Sequence, residues 1–110
     1  MDELLHLNAD VNAQDCFQRS PLHFAASNGH AEVLSLLLHA SAHIDAQTSG
    51  GDTALMKACF FAHRDAVALL LSSHADAALT NCEGQTAVDY AEIAQSPEIK
   101  DLLSRVPRAN

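Results

Sequence analysis

An all-α repeat solenoid of stacked helix pairs is the fold this sequence predicts, and three observations predict it. The chain repeats itself: "SPLHFAASNGHAEVLSLLLHASAHIDA" from Ser20, "TALMKACFFAHRDAVALLLSSHADAAL" from Thr53 and "TAVDYAEIAQSPEIKDLLS" from Thr86 align without a gap, their starts 33 residues apart. A fixed period of this length is the mark of stacked supersecondary units. Within each unit, apolar residues recur at helical spacing in two short segments, each marginal as an isolated helix. Finally, 110 residues with 48% apolar content suit one domain with a continuous core and are too few for two ordinary ones.

The same shift carries "LLHLNADVNA" from Leu4 onto "LLHASAHIDA" from Leu37, so the chain divides into half a unit, two full units and a shortened last one. The boundaries are a partial repeat at 1–14, full repeats at 15–47 and 48–80, a terminal repeat at 81–106 and a tail at 107–110. In each unit Ser20, Thr53 or Thr86 suits a helix N-cap, and Pro21 suits the first helical position. Leu22, Ala25, Ala26 and Gly29 then fall on one helix face. The second segment, 31–39, carries Val33, Leu34, Leu37 and Leu38 on its face. A polar stretch of about ten residues must lead to the next pair. Small residues at Ala25, Ala26, Ala58, Cys59 and Ala91 let first helices approach closely, while longer residues fill the second row. That asymmetry predicts a curved stack whose concave side is the usual binding surface.

The 27 residues from Ser20 resemble the ankyrin repeat, with its T-P-L-H-x-A-A, G-H-x-E-V-V and L-L-L-x-x-G-A-D-V-N-A pattern. The resemblance recurs in register over nearly the whole chain. It implies antiparallel helix pairs, β-hairpin-like loops projecting at right angles, and protein–protein binding without catalysis. The departures from the pattern carry expectations of their own. Asn8, Ser41 and His74 stand where the family has the glycine that ends the second helix, which predicts strained loops. Ala62 and Gln95 replace the glycine kept at Gly29, and Met56 replaces the histidine kept at His23. The two glycines of "TSGGD" predict a mobile loop. Polar Glu92, Gln95, Glu98, Lys100 and Asp101 suit a solvated outer face on the last repeat. At the other end Leu4, Leu5 and Leu7 lack part of their cover, so the chain is either a piece of a longer array or has that end covered by another chain.

Phe60 and Phe61 are adjacent and cannot share a helix face. At about 100° per residue, Leu55, Ala58, Cys59 and Ala62 cluster in one direction, with Phe60 about 150° and Phe61 about 110° away from it. Neither ring belongs to the buried stripe. In the ankyrin pattern these places face the concave groove, as do Ser27 and Asn28 one repeat earlier and Ile93 and Ala94 one later. The groove also receives loop tips: Cys16, Phe17 and Arg19; Ser49, Gly50 and Asp52; Cys82, Glu83 and Gln85. An apolar strip of Phe60, Phe61, Ile93 and Phe17, rimmed by Arg19, Asp52 and Glu83, has the make-up of a binding centre with a polar edge. The alternative is that one ring packs against the loop of the adjacent repeat.

Other chemistry finds little footing. A net charge of −8, with no basic cluster, disfavours nucleic acid and acidic membrane surfaces and suits a basic or apolar protein segment. His39 and His43 have i, i+4 spacing without a third ligand, so no metal or cofactor is expected. His23 beside Ser20 reads as a structural brace, because no orienting acid or oxyanion hole accompanies it. No catalytic residue is assigned. Three unpaired cysteines and an acidic N-terminus without an apolar leader point to the cytoplasm or nucleus. In the family pattern Asn12 resembles a loop asparagine that intracellular hydroxylases modify, making it a candidate hydroxylation site. The sequence thus predicts a non-enzymatic interaction module, monomeric or weakly dimeric; the alternative is an assembly element that self-associates through its uncapped N-terminal face.

Overall fold

The computed structural model describes residues 14–104. Leu4, Leu5, Leu7, Asn8, Asn12 and the tail from 107 lie outside the described residues. The helices run in pairs: α1 (Pro21–Asn28) with α2 (Ala31–His39), α3 (Ala54–Phe60) with α4 (Arg64–Ser72), and α5 (Ala87–Ile93) with α6 (Pro97–Ser104). The first helices α1, α3 and α5 pack in one row, and α2, α4 and α6 in a second. Among the described residues there is no strand.

Each first helix starts the same way with different chemistry. The N-cap N–H of Ser20 donates to His23 Nδ1 at 3.0 Å, that of Thr53 to Met56 Sδ at 3.4 Å, and that of Thr86 to Asp89 Oδ2 at 2.9 Å. An imidazole, a thioether and a carboxylate thus close the same reciprocal cap, since each offers an acceptor three residues on. The histidine does more than its two counterparts. Because Nδ1 accepts, Nε2 carries the proton, and it donates across the repeat boundary to the carbonyls of Ala46 at 2.9 Å and Asp52 at 3.0 Å. His23 is therefore the brace the sequence predicts.

Burial holds the His23 ring below its ordinary pKa of 6.5. As pH falls below that value the unfolded chain binds a proton that the folded chain resists, so stability is intact above about pH 7 and declines on acidification toward the folded pKa. The urea midpoint is expected to drop between pH 7.5 and 5.5. In His23→Met, which copies the second unit's own solution, most of that drop should vanish; an unchanged pH slope would remove His23 as its source.

The core follows the small-residue stripe. Leu22, Ala25 and Ala26, then Leu55, Ala58 and Cys59, then Ala87 and Ala91 are buried along the first row, and Leu34, Leu37, Ala66, Val67, Leu70, Ile99 and Leu103 along the second. Val33 and Leu38, assigned from spacing to the buried face of α2, are half-buried against this core. Burial pushes the Cys59 thiol up to about 12, so it acts as a small apolar filler.

The turns within and after each pair are left-handed. Gly29, Ala62 and Gln95 have φ of 70°, 58° and 57°, and Ser41 and His74 have 71° and 72°. The next residue closes each turn, as in His30 N–H to Ala25 O, His63 N–H to Ala58 O and Ser96 N–H to Ala91 O. The strain expected at Ser41 and His74 is present, and Ala62 and Gln95 share the same left-handed backbone. One reason Gly29 is kept is that a Cβ there would stand 2.6 Å from His63 Nδ1. The residue equivalent to His63 one repeat on is Ser96, which is smaller. A left-handed alanine costs about 1–2 kcal/mol, part of which glycine's larger unfolded-state entropy takes back. Ala62→Gly is therefore expected to stabilise by about 0.5–1 kcal/mol in a urea titration.

The loops between pairs are one structure repeated three times. Asp15, Thr48 and Asn81 each donate their N–H to the carbonyl four residues on, and a left-handed residue, Gln18, Gly51 or Gly84, allows the reversal. Neighbouring loops are joined by Ser49 N–H to Phe17 O and Cys82 N–H to Gly50 O, both 2.9 Å. The "TSGGD" loop, expected to be mobile, is tied on both sides and internally by Asp52 N–H to Thr48 Oγ1 at 3.1 Å.

Candidate functional site

Loop tips and first helices present two aromatic groups. In the first repeat the Arg19 guanidinium lies 5.0 Å from the centroid of Phe17 and 4.9 Å from that of Phe24. Asp15 holds it there, with Oδ2 2.7 Å from both Nε and Nη2. The Arg19 side chain in turn keeps the Asp15 carboxyl below its usual value. Asp15 Oδ1 also accepts the N–H groups of Phe17 and Arg19, which fixes the loop around the charge pair. The Arg19 charge is thus balanced within its own loop rather than offered at a rim.

The second group lies at the C-terminal end of α3. Phe60 meets Phe61 edge to face, at 4.9 Å between centroids and 86° between planes, and meets Tyr90 of the next repeat at 5.7 Å and 82°. Phe61 lies over His63 at 6.3 Å, and His63 Nε2–H donates to Ser27 O at 2.9 Å. Phe60 and Phe61 remain 43% and 49% exposed, so contact with the next repeat engages one edge of the pair and leaves the rest to solvent. Ile93, one helical turn beyond Tyr90, is 53% exposed. Phe17 is exposed as well, but the Arg19 guanidinium lies over it as it does over Phe24.

Behind Tyr90 stands a polar cluster. Asp52 Oδ1 accepts the Tyr90 hydroxyl at 2.8 Å and Asn81 Nδ2–H at 3.1 Å, while Asp52 Oδ2 lies 3.4 Å from Lys57 Nζ. Asn81 also donates to Gln85 Oε1 at 3.0 Å and accepts from the N–H groups of Glu83 and Gln85. Burial first, then the hydrogen bond to Asp52, pushes the Tyr90 phenol up to about 12. Asp52, expected at the rim, turns both carboxylate oxygens to this cluster, and Gln85, expected among the loop tips, gives it Oε1 and its N–H. Ser27 is half-buried with its carbonyl engaged, whereas Asn28 and Glu83 are exposed.

Three residues that sequence reasoning passed over belong to the site: Phe24, Lys57 and Tyr90. They occupy one position, 33 residues apart. Phe24 lies three and four residues before Ser27 and Asn28, so helical arithmetic could have placed it on their face. The tie of Lys57 and Tyr90 to Asp52 had no such signal.

This architecture, helix pairs in two rows joined by hydrogen-bonded hairpin-like loops, defines a helical repeat array. Residues 1–81 match the family described as ankyrin repeats (3 copies), and the chain belongs to that family. Ankyrin repeats mediate protein–protein interaction. Over 37 residues, 34% of the chain, it is 43% identical to NF-kappa-B inhibitor zeta of Mus musculus, and over the same length 40% identical to that of Homo sapiens. Over 34 residues, 31% of the chain, it is 53% identical to Protein fem-1 homolog C of Xenopus laevis. The matched segments span only 5–6% of the length of these relatives.

Proposed function

We propose that the chain is a non-enzymatic binding module that takes a segment of a partner protein on the face made by α1, α3, α5 and the loop tips. Phe60, Phe61 and Ile93 are its apolar anchors, with Asn28 and Glu83 at the edge and the Phe17–Arg19–Phe24 group at the other end of the face. The observation that carries this reading is the pair of half-exposed rings at Phe60 and Phe61, in a chain with only four phenylalanines. Leaving two adjacent rings in water is unfavourable unless a partner covers them. The charge of −8 favours a partner segment that brings basic residues. The proposed setting is the cytoplasm or nucleus, with no nucleic-acid or membrane partner. Among the described residues no helix is long and apolar enough to cross a membrane.

Phe60→Ser/Phe61→Ser tests the site. Neither ring belongs to the core, so helicity by circular dichroism should be close to wild type. Affinity for a protein captured by the wild type and then purified should fall at least about 30-fold, the scale of an interface hot spot. Retained affinity would move the site off this face, and lost helicity would assign the rings to the fold instead.

A further inference from the structure

The inference drawn here rests on the reading just given and names the chemistry of the partner's anchor. The first and second repeats solve the same surface differently. In the first, two rings share a guanidinium, and a carboxylate fixes it at 2.7 Å. In the second, Phe60 stands edge to face with both Phe61 and Tyr90, making a corner of three rings, and among the described residues no Arg or Lys lies over any of them. Lys57, the nearest counterpart in sequence register to Phe24, is drawn to the Asp52 carboxylate. The loop that precedes Tyr90's helix carries Glu83, at the place that Phe17 holds in the first repeat. Glu83 is exposed, and its N–H donates to Asn81 Oδ1 at 2.8 Å, while Asn81 Nδ2–H donates to the Tyr90 hydroxyl at 2.8 Å, so one residue links Glu83 to the ring.

We infer that the Phe60–Phe61–Tyr90 corner seats an arginine side chain of the partner, with the Glu83 carboxylate as its counter-charge. A guanidinium fits better than an ammonium, because it is planar, weakly hydrated and stacks on aromatic faces. This chain's own Arg19 between Phe17 and Phe24 shows that packing in place. The net charge of −8 steers such a group toward the surface.

The test titrates Nα-acetyl-arginine methylamide into the protein and follows the ring protons by NMR, with the lysine, citrulline and norleucine analogues in parallel. Four Phe and one Tyr keep the aromatic spectrum readable. The arginine compound is expected to shift Phe60, Phe61 and Tyr90 and to bind about two- to five-fold more tightly than citrulline, the scale of a partly exposed cation–π contact. Glu83→Gln and added salt should each weaken it, and Phe60→Leu should abolish the ring shifts. Equal binding of citrulline, stronger binding of lysine, or shifts confined to other residues would overturn the arginine assignment. Preferential binding of norleucine would overturn it too, yet would leave the apolar groove reading intact. No binding by any analogue overturns the assignment, and the groove reading then stands or falls on the Phe60→Ser/Phe61→Ser affinity.

Discussion

Gly51→Ala is expected to cost about 2–4 kcal/mol, combining the left-handed penalty with the strain of overpacking. The φ of 85° there is outside the comfortable range of an L side chain. An added Cβ would also stand 2.8 Å from both Asn81 Cα and Cys82 N, which are backbone atoms that cannot rotate away. The two loops would have to part, and the bond from Cys82 N–H to Gly50 O would go with them. Gly50→Ala is the matched control. Its φ is ordinary and the nearest atom to its new Cβ is Thr48 Oγ1 at 3.9 Å, so stability should change little. In a linear array each repeat is held by its neighbours, and the loss should therefore fall on one side. Amide exchange in α5 and α6 should accelerate more than in α1 and α2, and the urea midpoint should fall by about 1–2 M. Uniform acceleration along the chain would mean that the loop contact does not couple the second and third repeats.

Gly51 also illustrates what could be learned from one sequence. The 33-residue period gives the register, and the register alone places α1 to α6, the N-caps and the left-handed turns, because each depends on residues a few positions apart. It also identifies Phe60 and Phe61 as turned away from the core, since helical geometry is local. Contacts between repeats are another matter. Two glycines in "TSGGD" look like freedom when read along the chain, yet Gly51 is a glycine because the Asn81 backbone passes beside it. Asp52 looks like an exposed loop acid, yet Tyr90, 38 residues on, brings a hydroxyl to it. The charge of Arg19 is visible in sequence, but its neutralisation by Asp15 depends on a loop conformation. The period says which residues are equivalent; the side chains that differ between equivalent positions decide the site.

Asp52→Ala is expected to destabilise by about 2–3 kcal/mol, the cost of leaving part-buried hydrogen-bonding groups without their charged partner. The carboxylate is shared by Tyr90, Asn81 and Lys57, and these come from two repeats. Its backbone is engaged as well, accepting from His23 and Thr48, so the side chain anchors a segment on which the first two repeats also depend. Asp52→Asn keeps an acceptor for the phenol and loses the charge, so it should cost about half as much or less. A second reading separates the network from a general loss of packing. Tyr90 is the only tyrosine and the chain has no tryptophan, so phenolate absorbance reports one group. In the wild type it should appear toward pH 12, with stability declining above about pH 10 because the folded state keeps the proton longer than the unfolded one. In Asp52→Ala the ionisation should move down from about 12, since the hydrogen bond and the nearby negative charge that favour the neutral phenol are both gone while burial still holds it up. The position of Phe60 depends on Tyr90 across the repeat boundary, so loosening Asp52 should also blunt arginine binding at the corner. A variant that loses stability with an unmoved Tyr90 ionisation would show that Asp52 acts through its loop alone.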